Sequence, residues 1–190
     1  MLSVCVTVKN RHSLFQNCVR SLQICCSHHD CHNIELVVSD WGSTDAAPLA
    51  WLPPGTTVVP VRGEFSRGRG LNAAARAARF PYLFFIDADM LLEHTVLQSA
   101  ADACRAGLAY FPVCWSYRDP EHTRGYWREE GFGVAAVTRT VFDRACGWDE
   151  FTKWGCEDRL FHGKVKDFAE ISRPKQPGLF HQWHPPAGRR

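Results

Sequence analysis

Two pairs of carboxylates stand where they could do chemistry. Asp87 and Asp89, one residue apart, close the run Pro81-Tyr82-Leu83-Phe84-Phe85-Ile86-Asp87-Ala88-Asp89-Met90, an aromatic-rich series of strand formers. Side chains alternate along a strand, so both are expected on one face at its end, where they can share a divalent cation, or a cation and a hydroxyl. Asp is also a common turn residue, and a turn accounts for the same letters. Glu157 and Asp158 follow Trp154-Gly155-Cys156 at the expected first turn of a helix. The helix dipole and free N–H groups favour acidic residues there on structural grounds alone. A carboxylate on a rigid helix start, beside an indole and a glycine that leaves clearance, also meets the geometric need of a general base. The indole can stack on a sugar ring, although core packing uses the same residue type.

The elements that would position these groups alternate strand and helix. Residues 2 to 8 form a β-branched run, and Ser13 to Cys26 repeats apolar residues at Leu14, Cys18, Leu22 and Cys25, which is helical spacing. Ile34 to Ser39 is a second short strand, followed by the turn-rich Asp40-Trp41-Gly42-Ser43-Thr44-Asp45, and Thr57 to Arg62 is a third. An alanine-rich helix from Arg67 to Arg79 leads into the Asp87 strand, and Glu93 to Ala106 is a further helix before a strand at Leu108 to Pro112. From Val113 to Glu130 the pattern breaks, and a mobile flap or binding wall carrying Trp115, Tyr117, Tyr126 and Trp127 is expected. Gly133 to Thr138 is a strand, Thr138 caps a short helix to Cys146, and Glu157 to Val165 is the last helix. The pattern predicts an α/β fold with a mostly parallel central sheet and helices on both faces.

A chain of 190 residues builds one full core, so a single domain over 1–190 is expected. A formal charge of +2 with 22% charged residues argues against nucleic acid or an acidic membrane surface as partner. Met1 to Val8 is too short for a membrane span and lacks a basic leader, so a soluble protein is expected. Of nine cysteines, Cys5, Cys18, Cys104, Cys114 and Cys146 fall at apolar positions where a thiol acts as a small hydrophobe, which suits a reduced, cytoplasmic setting. The cluster Cys25, Cys26, His28, His29, Cys31, His32 lacks two cleanly spaced ligand pairs for zinc and reads better as a polar loop.

The segment Gly131-Phe132-Gly133-Val134-Ala135-Ala136-Val137-Thr138, then Gly147-Trp148-Asp149-Glu150 and Trp154-Gly155-Cys156-Glu157-Asp158, resembles the C-terminal half of β-1,4-galactosyltransferases and their bacterial relatives among the family 2 glycosyltransferases. The N-terminal half is similar to family 2 as well, at Thr7-Val8-Lys9-Asn10-Arg11, at Ser39-Asp40 and at Ser66-Arg67-Gly68-Arg69-Gly70-Leu71-Asn72. The resemblance implies a GT-A fold and a UDP-sugar donor, bound by Thr7, Lys9, Asn10, Arg11, Asp40, Arg69, Asn72 and Asp87. In that family Asp40 would contact uracil, and Asp45 is expected to cap the helix after it. Arg69 would lie near the diphosphate and take up charge on it as the leaving group.

The same resemblance implies that Asp89 binds the cation directly and that His184, joined by His181, completes the metal site. Carboxylate plus imidazole suits Mn²⁺, with Mg²⁺ as a substitute. Asp158 would be the catalytic base, and Trp154, Gly155 and Glu157 would hold a saccharide or glycoconjugate acceptor, with Trp115, Tyr126 and Trp127 as walls. The implied activity is inverting, metal-dependent transfer of a hexose or N-acetylhexosamine to an acceptor hydroxyl, in polysaccharide biosynthesis. A nucleotidyltransferase holding metal at Asp87 and Asp89 is the rival enzyme, and a non-catalytic nucleotide-sugar-binding module is the rival of another class.

Overall fold

A computed structural model describes residues 1–27, 33–45, 51–152 and 155–185. Of the segments weighed above, His28, His29, Cys31, His32 and Trp154 lie outside the described residues.

The central sheet is built on β1 (Leu2–Val8), whose seven residues are all buried. It pairs in parallel with β2 (Ile34–Asp40) on one side and β4 (Tyr82–Asp87) on the other, while β3 (Thr57–Pro60) extends the parallel block beyond β2. A strand enclosed on both sides and both faces needs apolar residues throughout, which is why β1 reads as a continuous Val- and Cys-bearing run. The third strand stops at Pro60, which has no N–H for the ladder, although Val61 N still donates to Asp40 O at 2.7 Å. Beyond β4, β9 (Ala135–Thr138) runs antiparallel to β4 and to β6 (Ala109–Tyr110), and β10 (Ile171–Ser172) closes that edge. The sheet is therefore mixed but mostly parallel.

Helices cover both faces. On one, α1 (His12–Ser27) and α3 (His94–Arg105) bring Phe15, Cys18, Val19, Val96 and Leu97 onto Val4, Val6, Phe84 and Ile86. On the other, α2 (Arg67–Ala77), α4 (Arg139–Arg144) and α5 (Glu157–Lys166) bring Leu71, Phe142, Phe161 and Val165, with Trp148, onto Cys5, Leu83 and Phe85. The Thr138 hydroxyl accepts from Val141 N and caps α4, as its position before the helix predicts. Among the described residues no helix is long and apolar enough to cross a membrane.

Parallel register sets Thr7 level with Asp87 on one side and Ser39 on the other, and Val8 level with Asp40. The carboxyl ends of β1, β2 and β4 thus form one edge, the place where open α/β sheets take ligands.

A second sheet, in the order β5 (Met90–Leu92), β11 (Lys175–His181), β7 (Val113–Tyr117), β8 (Gly125–Trp127), stands against that edge. It corrects the expected irregular flap over 113–130. β7 and β8 form an antiparallel hairpin in which Trp115 faces Trp127 and Ser116 faces Tyr126. Bulky aromatics on both faces of the hairpin hide the apolar-polar alternation that announces a strand. A second correction concerns Asp89. The strand ends at Asp87, so Asp89 lies in the turn joining β4 to β5 and not on the strand beside Asp87.

Candidate active site

The β4–β5 turn is where the two sheets meet. β5 pairs antiparallel with β11, placing His181 opposite Met90, and Gln182 N donates to Asp89 O at 2.9 Å. His181 Nε2 lies 3.7 Å from Asp89 Oδ1, and His184 Nε2 lies 3.3 Å from Asp89 Oδ2. One ligand atom from each of Asp89, His181 and His184 falls within 4.8 Å of the others. Arg11 Nη1 donates to Asp89 Oδ2 at 2.9 Å. Burial works against the charge on Asp89, but the His184 contact with His181 and Arg11 outweighs it, so the carboxyl stays below the usual carboxylate range.

These residues fit a divalent cation. Asp89 Oδ1 is buried without a hydrogen-bond partner, an uncommon and costly state for a carboxylate oxygen. His184 donates its Nδ1–H to Pro185 O at 2.8 Å, which turns Nε2 towards Asp89. Ser116 Oγ and Arg128 Nη2 each lie 3.4 Å from His181 Nδ1, and Arg128 Nη2 donates to Ser116 Oγ at 2.9 Å, so this pair fixes the imidazole ring with Nε2 on the Asp89 side. Burial pushes His181 below the usual imidazole range, favouring the neutral form a metal requires. The hydrogen bond to Asp89 raises His184, so there a proton competes with a cation.

The floor beside this cluster is formed by the loops after β1 and β2. Asn10, at φ 49°, accepts from Thr44 N at 2.7 Å through its side chain, while its own N–H donates to Ser43 Oγ at 3.1 Å. Asp40 Oδ1 accepts from Ser43 N and Ser43 Oγ, each at 3.3 Å. Asp45 Oδ2 accepts from His12 N at 2.9 Å, so it serves the start of α1; the residues directly after it lie outside the described ones. Thr7 is buried, and its hydroxyl accepts from Trp41 Nε1 at 3.0 Å. A Cβ at Gly70 would overlap the Thr7 hydroxyl at 2.1 Å, so only glycine lets α2 approach β1 there. Lys9 is exposed.

Helix α2 divides its polar residues by phase. Arg69 is exposed with its Cζ 5.8 Å from the Trp41 ring centroid. Asn72 points inward, where its Nδ2 donates to Trp148 O and to Glu150 Oε1, both at 2.9 Å, and its Oδ1 accepts from Trp148 N. That amide ties the helix to the Trp148 loop. Arg67 also points inward: its Nε donates to Asp87 Oδ1 at 2.6 Å, its Nη2 to Gly133 O at 2.7 Å, and its Nη1 lies 3.7 Å from Glu157 Oε1. Sequence reasoning singled out Arg69 and passed over Arg67; the position directly after the N-cap Ser66 was the available signal.

At the start of α5, Asp158 Oδ2 accepts from Phe132 N at 3.1 Å and Oδ1 from Arg159 N at 2.8 Å. These bonds leave lone pairs on both oxygens, so the carboxylate can still accept a proton. Gly155 at φ 101° and Cys156 at φ 77° make the sharp entry to the helix.

A cavity of about 420 Å³ lies beside His181 and His184, lined also by Ser116, Tyr117, Arg118, Tyr126, Arg128 and Trp183. Of the expected walls, Tyr126 lines it. Trp115 and Trp127 pack edge to face on each other, ring centroids 5.5 Å apart, and neither is among the residues lining this cavity.

The family model "Glycosyl transferase family 2" matches residues 3–168. The chain belongs to this family. Human chondroitin sulfate synthase 3 is 30% identical over 149 residues, covering 68% of this chain and 17% of that protein. Human chondroitin sulfate N-acetylgalactosaminyltransferase 2 is 27% identical over 217 aligned residues, covering 97% of this chain and 40% of that protein. The chain thus spans two fifths or less of the length of these curated relatives. Among solved structures, S. aureus TarS 1-349 in complex with UDP-GlcNAc superimposes with a TM-score of 0.78 at 17% identity, over 98% of this chain and 59% of that one. The mannosyltransferase PcManGT from Pyrobaculum calidifontis, in complex with GDP-Man and Mn²⁺, gives a TM-score of 0.71 at 20% identity over 99% and 58%. At such identities these two matches establish the fold, which is the GT-A fold expected of a family 2 member. For this family 2 chain, Asp89, His181 and His184 are the candidate metal site.

Proposed function

We propose that this chain is an inverting, metal-dependent glycosyltransferase domain that moves a hexose or N-acetylhexosamine from a UDP-sugar to a hydroxyl of a saccharide acceptor. The observation that carries the proposal is the Asp89, His181 and His184 cluster, with its unpartnered carboxylate oxygen, at the carboxyl edge of a family 2 sheet. Two similar proteins support the sugar class: an N-acetylgalactosaminyltransferase and a structure in complex with UDP-GlcNAc. Mn²⁺ in the PcManGT complex supports the choice of metal.

The cluster would hold Mn²⁺, or Mg²⁺ in its place, and the bound cation would stabilise negative charge on the diphosphate leaving group. Asp40 and the Asn10 loop offer the base and ribose their polar groups, while Lys9, Arg11 and Arg69 bring cations to the diphosphate side. Asp158 accepts the proton of the attacking hydroxyl on the face opposite the leaving diphosphate. Glu157 and Gly155 border that acceptor, and Tyr126 offers it an aromatic wall.

Incubation with UDP-sugars and Mn²⁺, with and without saccharide acceptors, tests the proposal. Acceptor-stimulated UDP release is the expected result. Pyrophosphate exchange would point to nucleotidyl transfer, and saturable UDP-sugar binding without product to a binding module; either overturns it.

A further inference from the structure

Arg67, the first residue of α2, touches chain segments from both halves of the proposed centre. Its Nε donates to Asp87 at the end of β4, its Nη2 donates to the Gly133 carbonyl ahead of β9, and its Nη1 faces Glu157 at the start of α5. Its Cζ lies 5.1 Å from the centroid of the Trp148 ring, and only 16% of the side chain is exposed. Nη1 has no hydrogen-bond partner, so the guanidinium is held in place by its other two nitrogens and drawn electrostatically towards Glu157.

The surroundings are shaped for this one side chain. A Cβ at Gly133 would stand 3.0 Å from Arg67 Nη2 and 3.3 Å from Asp87 Oδ2. A Cβ at Gly68 would overlap Asp149 O at 2.0 Å, so glycine lets the first turn of α2 rest on the Trp148 loop. Burial of a cation is costly even when it is paired, so a purely structural plug would be better made of hydrocarbon. A planar guanidinium supplies instead a rigid fork that fixes its partners' relative positions.

We infer that Arg67 is a positioning residue that sets the first turn of α5, and with it Asp158, at a fixed offset from Asp87. Asp158 follows Glu157 directly on the helix, so any displacement of Glu157 moves the carboxylate assigned as base. The inference rests on the proposed function, which gives Asp158 that task. A misplacement of about 1 Å at such a centre can lower turnover by about 10²-fold.

A mutant cycle tests it: kcat, donor KM and Tm for Arg67→Gln, Glu157→Gln and the double variant, under the conditions in which the unmodified protein transfers sugar. Each single change is expected to lower kcat by about 10-fold to 10²-fold with a smaller effect on donor KM, and the double variant should be no slower than the slower single. Arg67→Lys should recover only part of the loss, because an ammonium cannot reproduce the fork. Cycles built on Arg67→Lys keep the test readable if Arg67→Gln folds poorly. Losses that multiply in the double variant, full recovery by Lys, or a lower Tm with unchanged kcat would each overturn the positioning role while leaving the proposed function standing. Absence of transfer by the unmodified protein overturns both.

Discussion

The backbone N–H of Gln182 is hydrogen-bonded to the carbonyl of Asp89, which fastens the segment after β11 to the turn that joins β4 to β5. The Gln182 side chain is buried and completes the anchor, with Nε2 donating to Leu14 O at 3.0 Å and Oε1 accepting from Asn17 Nδ2 at 2.9 Å. His181 and His184 flank this anchored residue, and both aim a nitrogen at Asp89.

From that arrangement, His184→Ala should weaken Mn²⁺ binding by about 10²-fold, the upper end of what a disturbed ligand shell costs. Mg²⁺ binding should weaken less, because an imidazole contributes preference for Mn²⁺. Asp89→Ala should abolish metal-dependent UDP binding with the fold intact. Mn²⁺ titration by electron paramagnetic resonance, with UDP present, reads both variants. Equal losses for the two metals in His184→Ala would take the imidazole out of the site.

Asp158→Asn should keep UDP and Mn²⁺ binding and lower transfer by roughly 10² or more, the usual scale for a positioned general base. The amide can still accept from Phe132 N through its oxygen, so the entry to α5 should hold its shape. Turnover near the unmodified rate with a true acceptor would place the base elsewhere.

A pH effect on stability should arise far from the site, at Glu35. Its carboxylate is buried and accepts from Ser3 Oγ, Arg79 N and Arg79 Nε at 2.6, 2.6 and 2.8 Å. Burial would raise its pKa, but the bonds from Ser3 and Arg79 outweigh burial and hold it below the ordinary value of 4.5. A depressed folded-state pKa means the stabilisation is complete above the unfolded value and lost as pH falls through the folded one. Glu35→Gln should therefore cost about 2 kcal/mol at pH 7, on the scale of a charge-assisted hydrogen bond. The gap to the unmodified protein should shrink below about pH 4. Urea unfolding at several pH values measures it, and a gap that stays constant with pH would show that the charge is irrelevant.

What could be read from the residues follows the strength of local periodicity. Strands β1 and β4 and helices α2 and α3 were legible because apolar spacing and chain punctuation agree there. β11 was not legible as a strand, since Pro177 and Gly178 sit within it; Gly178 takes φ 82° and its carbonyl receives Glu93 N. That hidden strand carries His181 to Asp89, so the meeting of Asp89 with His181 and His184 was foreseeable through family resemblance and their three-residue spacing, while the strand that achieves it was not. Arg67 and Arg69 stand two apart in one basic motif, and only the packed helix shows which faces the sheet. The end of β4 had the same ambiguity, because a strand and a turn both tolerate Asp at position 89.

The entry to α5 also carries a strain that sequence letters do not display. Cys156 caps the helix at φ 77° and ψ −20°, in the left-handed region, and its side chain makes no capping hydrogen bond. A residue with a Cβ is disfavoured there by about 1–2 kcal/mol, a cost that glycine escapes. Glycine also widens the unfolded ensemble, which cancels part of the gain. Because Cys156 is exposed, little packing is lost with its side chain. Cys156→Gly should thus stabilise the protein by about 0.5–1 kcal/mol, or roughly 1–4 °C in Tm for a chain of this size. Asp158 keeps its bond from Phe132 N in this variant, so transfer should stay within about threefold of the unmodified rate, well inside the loss expected when a positioned base is removed. Thermal unfolding and steady-state transfer on the same preparation settle both halves. A lowered Tm would mean that the thiol holds a contact worth more than the backbone strain, and a fall in transfer at raised Tm would mean that the strained cap itself orients Asp158.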